Sequence, residues 1–126
     1  MNVYFDHAAT TSVSAAARTA ALRAMEECWG NPSSLHAAGR RAAQRLDEAR
    51  QSVARCLAAS PAELYFTSGG TEADNWAITQ CARMGAQAGK RHLITSAFEH
   101  HAVLHTLKRL EQWGFEVTCL PVHEDG

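Results

Sequence analysis

The chain has 126 residues, of which 46% are hydrophobic, and its 12 Lys and Arg oppose 13 Asp and Glu for a formal net charge of -1. This balance is typical of a globular domain or a part of one, and the scattered basic residues give no case for binding nucleic acid or an anionic membrane. No stretch is apolar enough to span a membrane and no secretory signal opens the chain, which indicates a soluble cytoplasmic protein. The four cysteines form no CxxC pair, which favours buried, reduced thiols.

The first half of the sequence predicts two helices. After a brief extended segment at residues 3–5, Ser12 or Ser14 is suited to cap a first helix, which Gly30 ends near residue 29. A turn of composition GNPSS follows, in which a serine caps the second helix. This helix is predicted over residues 35–59, because apolar residues recur there at every third or fourth position until a Ser-Pro pair ends the pattern.

The second half alternates strands with helices. In chain order we predict a strand at residues 63–66, a helix from about Thr71 to residue 84, a strand at 92–95, a helix with an apolar face over 103–110 that ends at Gly114, and a strand at 115–120. This order is typical of an α/β fold with a largely parallel sheet.

The loop after the first predicted strand reads TSGGTEADN and contains the first candidate site. Ligands bind at the carboxyl ends of parallel strands, and glycines, free N–H groups and the Thr71 hydroxyl at a helix start suit an anion. There is no P-loop lysine and no GxGxxG, so a nucleoside triphosphate or a dinucleotide is poorly supported. In the alternative, Thr71 only caps the helix and Asp74 completes a capping box. Glu72 and Asp74 should point away from any bound phosphate.

The loop after the second predicted strand reads SAFEHH. Beside the first loop, His100 could stack on a flat heteroaromatic ring; in the alternative, His100 and His101 only cap or solvate the next helix. His101 and His105 lie four residues apart, a spacing that can hold a metal, but HExxH is absent and no third ligand is evident. We therefore predict no metal site.

Four segments of the chain together resemble the cysteine desulfurases, which are pyridoxal-phosphate enzymes of the class V aminotransferase group. They are VYFDHAATTSVSAAA, GNPSSLHAAGR, ARQSVARCLAASPAELYFTSGGTEADNWAI and ITSAFEHHAVLHTLKRLEQWGFEVTCL, in the family's order and at its spacing. The unbroken GNPSSLH and the EHHAVL loop are similar to the nitrogen-fixation and iron-sulfur-cluster branch. The resemblance covers essentially the whole chain.

The resemblance implies a fold and a set of site residues. The fold is a partial PLP-transferase type I (aspartate aminotransferase-like) fold, with an N-terminal segment and helices in residues 1–59 and the start of the PLP-binding large domain in 60–126. It implies that Gly70 and Thr71 bind the phosphate of pyridoxal 5'-phosphate (PLP), and that His100 stacks on its pyridine ring and helps to move protons. Further residues match segments near the family's active-site mouth without an assigned role; these are Asp6, Ala8, Ala9, Thr10, Thr11, Asn31, Pro32, Ser33, Ser34 and His36.

The resemblance also implies an activity. Cysteine desulfurases remove sulfur from L-cysteine, giving alanine and an enzyme persulfide, and pass it to an iron-sulfur scaffold or another acceptor protein for cluster assembly or tRNA thiolation. The family is homodimeric, and its Schiff-base lysine, the acidic partner of the pyridine nitrogen and the sulfur-carrying cysteine all lie in later sequence. Neither Lys90, Lys108 nor any cysteine here matches them. We therefore expect this chain to be an N-terminal portion that is inactive alone.

Other functions stay open at this point. Within the same fold, the chain could belong to another class V enzyme, such as a selenocysteine lyase or a kynureninase-like enzyme. From other classes, it could be a non-catalytic binding or dimerisation module, or a histidine-based metal protein.

Overall fold

The computed structural model describes residues 3–123. In this range the elements are α1 (Ala15–Glu27), α2 (Ala37–Cys56), a 3₁₀ helix (Pro61–Glu63), α3 (Gly70–Gln87), β1 (His92–Ser96), α4 (His101–Gln112) and β2 (Glu116–Leu120). They fall into two compact units that divide between Tyr65 and Phe66. The domain boundary predicted after residue 59 concerns the whole protein and stays a prediction. No helix in the described range is long and apolar enough to cross a bilayer.

Helix α1 is defined by local interactions. The Oγ of Ser14 accepts a hydrogen bond from the N–H of Ala17 at 3.2 Å, so Ser14, one of the two predicted caps, begins the helix. None of the helix residues is buried, and Leu22 and Met25 are 54% and 72% exposed. Helix α1 therefore buries no apolar face within its own unit.

The turn between α1 and α2 depends on a close approach of the backbone. The carbonyl oxygen of Asn31 accepts a hydrogen bond from the N–H of Ser34 at 3.0 Å. A Cβ on Gly39 would clash with the carbonyl oxygens of both residues, and a Cβ on Gly30 would lie 2.5 Å from that of Ala38. Only glycine fits at these two positions without a backbone shift.

Helix α2 is shorter than predicted at both ends. The predicted serine cap is wrong, because the Nδ1 of His36 accepts from the N–H of Gly39 at 3.3 Å and takes the capping position. The helix ends at Cys56, and Ala58 then adopts the left-handed conformation with φ 51°. That conformation terminates a helix, so α2 stops before the Ser-Pro pair.

The strand predicted at residues 63–66 is absent from the structure. Leu64 does have extended backbone angles (φ -103°, ψ 125°), but within the described residues no strand pairs with this segment. Instead, Ser60 and Glu63 form a capping box around the 3₁₀ helix, and the carbonyl oxygen of Leu64 accepts a hydrogen bond from Arg50. The prediction is wrong because Glu63 belongs to the 3₁₀ helix and because a strand also needs a partner to accept its hydrogen bonds.

The second unit confirms the predicted α/β arrangement, but with a sheet of two strands instead of three. Strands β1 and β2 pair in parallel, with Leu93 opposite Val117, and α4 makes the crossover between them. The core contains Ala82, Leu107, Leu110 and Phe115, with Ile78, Ala86, Leu93, Val103 and Val117 packed against it. Both helices of this unit thus bury an apolar face.

The four cysteines are free thiols, as predicted, but they are not buried. Cys56, Cys81 and Cys119 are exposed and Cys28 is half-buried. The expectation of buried packing thiols is therefore wrong for this structure. Cys56 ends α2, Cys81 lies in α3 and Cys119 in β2, each on a face that the other side chains of its unit leave exposed.

Candidate functional site

Helix α3 begins without a side-chain cap. Its N-cap is Gly69, in extended backbone with φ 168°, which has no side chain to accept a hydrogen bond from the first helical N–H groups. The alternative that Thr71 caps the helix with Asp74 is therefore wrong, since Thr71 is already the second helical residue. Its hydroxyl has no hydrogen-bond partner among the described residues.

The start of α3 is open and rich in donors. The N–H groups of Gly70, Thr71 and Glu72 find no acceptor within residues 3–123, as expected for the first turn of a helix without a cap. A Cβ built on Gly69 or Gly70 would meet nothing within 4 Å. This helix end thus offers N–H groups, a free hydroxyl and the positive end of the helix dipole in open space, which together suit an anion.

One carboxylate shares this helix end. Glu72 accepts hydrogen bonds from the N–H and the Oγ of Ser68, both at 2.7 Å. The hydrogen bond from the Ser68 side chain, followed by that from its N–H, lowers the pKa of Glu72. The prediction that Glu72 points away from a bound phosphate stays a prediction, but in this structure its carboxylate folds back toward the loop. The reason is that Ser68, just before the N-cap, supplies two donors.

His100 is the N-cap of α4. Its Nδ1 accepts a hydrogen bond from the N–H of Ala102 at 3.0 Å. An accepting Nδ1 carries no proton, so the neutral ring has its proton on Nε2. His100 therefore does cap α4, as the alternative interpretation of the SAFEHH loop predicts. The imidazole is nevertheless exposed, so capping and ring stacking are compatible.

Helices α3 and α4 run in the same direction. Contacts between them pair Asn75 with Thr106, then Thr79 with Arg109, and last Arg83 with Trp113. The residue numbers rise together along both helices, so the helices are parallel. Asn75 and Thr106 each lie in the second turn of their helix, so the two helix starts lie at the same end of the unit.

This packing places the two predicted loops together. The donors of Gly70 and Thr71 and the imidazole of His100 lie at one end of the α3–α4 pair, which is also the end at which β1 leaves the sheet through Ser96. Sequence reasoning predicted this neighbourhood from strand order. It missed Asn75 and Thr106, whose side chains form a hydrogen bond between the two helices.

The histidines of α4 form no complete metal site. The rings of His101 and His105 lie 5.6 Å apart between centroids, tilted by 46°. Within residues 3–123, no group of three or more His, Cys, Asp or Glu side chains is arranged to hold a metal ion.

The N-terminal residues that match the family lie in the first unit. There the Oη of Tyr4 donates to the carbonyl oxygens of Asp6 and Thr10 at 2.9 and 3.0 Å, and the ring of His7 is 2.7 Å from the Oγ1 of Thr11. These bonds fold residues 4–11 into a compact loop. Tyr4 bonds to both Asp6 and Thr10, and no sequence motif indicates that role.

The family model described as aminotransferase class-V matches residues 3–126. This chain belongs to the class-V aminotransferase family. Enzymes of this family use PLP, so the cofactor expected from the sequence is the family's own. The open donors at the start of α3 and the exposed ring of His100 fit the phosphate and the pyridine ring of that group.

Relatives and solved structures of class-V proteins agree with this assignment. Cysteine desulfurase IscS of Methanosarcina thermophila is 50% identical over 124 residues, which cover 98% of this chain and 30% of that protein. An IscS-like cysteine desulfurase of Mycobacterium tuberculosis is 46% identical over 126 residues, covering 98% and 32%. The predicted resemblance to cysteine desulfurases is thereby confirmed.

Among solved structures, a NifS-like protein superposes with a TM-score of 0.84 at 41% identity, covering 97% of this chain and 33% of that one. A structure described as SspA in complex with cysteine has a TM-score of 0.80 at 38% identity, covering 93% and 33%. The predicted partial PLP-transferase fold is confirmed by these similarities. The chain spans about a third of the length of the class-V proteins it matches.

Proposed function

We propose that this chain supplies the phosphate-binding and ring-binding part of a PLP-dependent cysteine desulfurase. The observation that carries the proposal is the parallel packing of α3 and α4, which brings an open set of donors and an exposed imidazole to one end of the unit. The class-V family uses PLP, and the curated relatives are named cysteine desulfurases. A phosphate joined to a flat ring is the ligand that this pairing suits.

Each site residue then has a physical role. The N–H groups of Gly70 and Thr71 and the Thr71 hydroxyl donate to the phosphate oxygens, and the α3 dipole adds to the attraction. The imidazole of His100 lies against the pyridine ring, with its Nε2–H free to donate a hydrogen bond, and it can help to move protons only when Nδ1 releases the N–H of Ala102. The bound cofactor supplies the electron sink for bond cleavage in the substrate.

The substrate of the proposed enzyme is L-cysteine, and its products are alanine and a protein persulfide. The sulfur goes to an iron-sulfur scaffold or another acceptor protein, and the enzyme acts as a cytoplasmic homodimer. Lys90 precedes β1 and Lys108 lies well inside α4, so neither is at the helix end that carries the site. We therefore expect the 126-residue chain to give no turnover when expressed alone.

A PLP titration tests the site directly. With protein expressed from its complete reading frame, the dissociation constant for PLP is measured by visible absorbance. Thr71→Val should raise it roughly tenfold or more, because a hydrogen bond to a charged group contributes about 1.5–3 kcal/mol. Thr79→Val, two turns further along α3, is the matched control and should bind like wild type. Equal affinity of Thr71→Val and wild type would overturn the phosphate assignment.

The ring of His100 is tested separately from its cap. His100→Asn keeps a side-chain acceptor at the capping position but removes the imidazole. We expect unchanged helix content by circular dichroism, weaker PLP binding and a shifted visible band. If the visible absorbance band and the PLP affinity of His100→Asn equal those of wild type, stacking of the imidazole on the pyridine ring is excluded.

The reaction is tested by substrate. Alanine release is measured with L-cysteine, selenocysteine and kynurenine as substrates, and sulfide release with L-cysteine. A cysteine desulfurase should prefer L-cysteine, which separates it from the other class V enzymes. Preference for either of the other two substrates would replace the proposed activity but leave the PLP site in place.

A further inference from the structure

Thr106 is the polar exception on the buried face of α4. It is 1% exposed, beside the apolar Ala102, Leu107 and Leu110. Its hydroxyl donates to the Oδ1 of Asn75 on α3 at 2.5 Å and to the carbonyl oxygen of Ala102 at 2.8 Å, a three-centre arrangement. A buried hydroxyl is destabilising unless it is satisfied, so its position requires these partners.

Asn75 extends these hydrogen bonds to the start of α3. Its Nδ2 donates to the carbonyl oxygen of Thr71 at 2.7 Å, and its Oδ1 accepts from Thr106 and, at 3.4 Å, from Nη2 of Arg109. The carbonyl of Thr71 is an acceptor and the Thr106 hydroxyl a donor, so only one orientation of the amide satisfies both.

The other end of the link is His100. Ala102, whose carbonyl oxygen accepts from Thr106, donates its N–H to the Nδ1 of His100 at 3.0 Å. A continuous series of contacts thus runs from Thr71 through Asn75, Thr106 and Ala102 to His100. Both of its ends are residues that the proposed function places against the ligand.

We propose that Asn75 and Thr106 are positioning residues that fix the separation between the first turn of α3 and the imidazole of His100. This inference rests on the proposed function for the identity of the ligand, a phosphate joined to a flat aromatic ring. Apolar side chains alone hold two helices in a loosely specified register, whereas one satisfied polar pair selects a single register. A slip of one residue would move one helix start by about 1.5 Å along its axis, enough to spoil the fit of both ends of a rigid ligand.

Two substitutions at one position separate this role from packing. Thr106→Val keeps the volume and loses the hydroxyl, whereas Thr106→Ser keeps the hydroxyl and loses a methyl group. In protein from the complete reading frame, Thr106→Val should raise the PLP dissociation constant about tenfold, and Thr106→Ser should stay close to wild type. The opposite order would show that Thr106 acts by packing and would overturn the proposal.

A measurement without ligand makes the test independent of the proposed function. Amide hydrogen exchange of residues 67–75 in the PLP-free protein should be faster in Thr106→Val than in Thr106→Ser or wild type, although the substitution lies on the other helix. Thr79→Val, which removes only a 3.4 Å contact with Arg109, is the control and should exchange like wild type. Unchanged exchange in Thr106→Val would overturn the positioning role.

The outcomes for the two proposals are distinguishable. If wild type binds no PLP, the proposed function fails. The hydrogen-exchange measurement alone then tests whether Asn75 and Thr106 fix the position of the first turn of α3. If Thr106→Val does not fold, Asn75→Asp replaces it, because aspartate still accepts from Thr106 but cannot donate to Thr71. Faster exchange of residues 67–75 is expected in that variant, and exchange at the wild-type rate would overturn the proposal.

Discussion

The two units of the molecule are specified in different ways. In the first unit, α1 buries no residue and α2 buries only Gly39, Ala42 and Ala54, so caps, turns and close backbone contacts define the helices. In the second unit, Leu110 is 0% exposed and packs in a shared core with side chains from α3, α4 and the sheet. Helical periodicity is present in both. Only in the second unit does it correspond to a buried face.

The largest expected effect is in the core of the second unit. Leu110→Ala should destabilise the protein by about 2–5 kcal/mol, the usual cost of removing a buried leucine side chain. Leu22→Ala, at a residue 54% exposed in α1, is the counterpart in the first unit and should change stability by less than about 0.5 kcal/mol. Urea unfolding followed by circular dichroism measures both. Similar losses for the two variants would show that the units are equally packed.

The next prediction reverses the comparison, because here a substitution in the first unit should destabilise the protein more than one in the second unit. Gly39→Ala places a methyl group against the carbonyl oxygens of Asn31 and Ser34 and should cost about 1–3 kcal/mol. Gly70→Ala places its methyl group in open space at the start of α3 and should cost nothing in the ligand-free protein. Thermal unfolding of the two variants provides the test, and a destabilised Gly70→Ala would contradict the open helix start.

A smaller effect concerns the two histidine caps, one in each unit. His36→Ala and His100→Ala each remove an acceptor for a helix N–H group and should each cost about 1 kcal/mol. His36→Asn and His100→Asn should recover most of the loss, since asparagine is a favourable cap. Equilibrium unfolding of the four variants measures this, and failure of asparagine to rescue would mean that the rings contribute by packing instead.

The smallest effect is a pH dependence in the second unit. Hydrogen bonds from Ser68 lower the pKa of Glu72, so its contribution to stability is present above the pKa of the unfolded chain and is lost as pH falls through the lowered value. Glu72→Gln removes that contribution. The stability difference between wild type and variant should therefore be greatest at neutral pH and shrink in acid. Ser68→Ala should show the same trend more weakly, and a difference that is constant with pH would contradict it.

The sequence predicted most of the periodic elements, but it missed contacts between distant residues and the identity of several helix caps. The α3–β1–α4–β2 order and the apolar face of α4 follow from local periodicity and are confirmed. The strand at residues 63–66 was wrong, because pairing is decided by a second segment. The contact between Asn75 and Thr106 joins residues 31 apart, and no local pattern indicates it.

The candidate site, like the fold, was only partly predictable from the sequence. Composition alone indicated that the TSGGTEADN loop could hold an anion, and strand order placed SAFEHH beside it. The choice of Gly69 over Thr71 as N-cap was not predictable, because glycine and threonine are about equally favourable at that position. No group within residues 3–123 bonds to the hydroxyl of Thr71, so that hydroxyl is available to a ligand.

The capping bond of His100 has a consequence for proton transfer. Because Nδ1 is occupied by the N–H of Ala102, the imidazole faces a ligand with a single working nitrogen, Nε2. In this tautomer Nε2 already carries the ring's proton, so the ring offers a ligand one hydrogen-bond donor and no free lone pair. For the ring to take a proton, the N–H of Ala102 must first leave Nδ1, so a single lone pair serves either the helix start or a substrate proton.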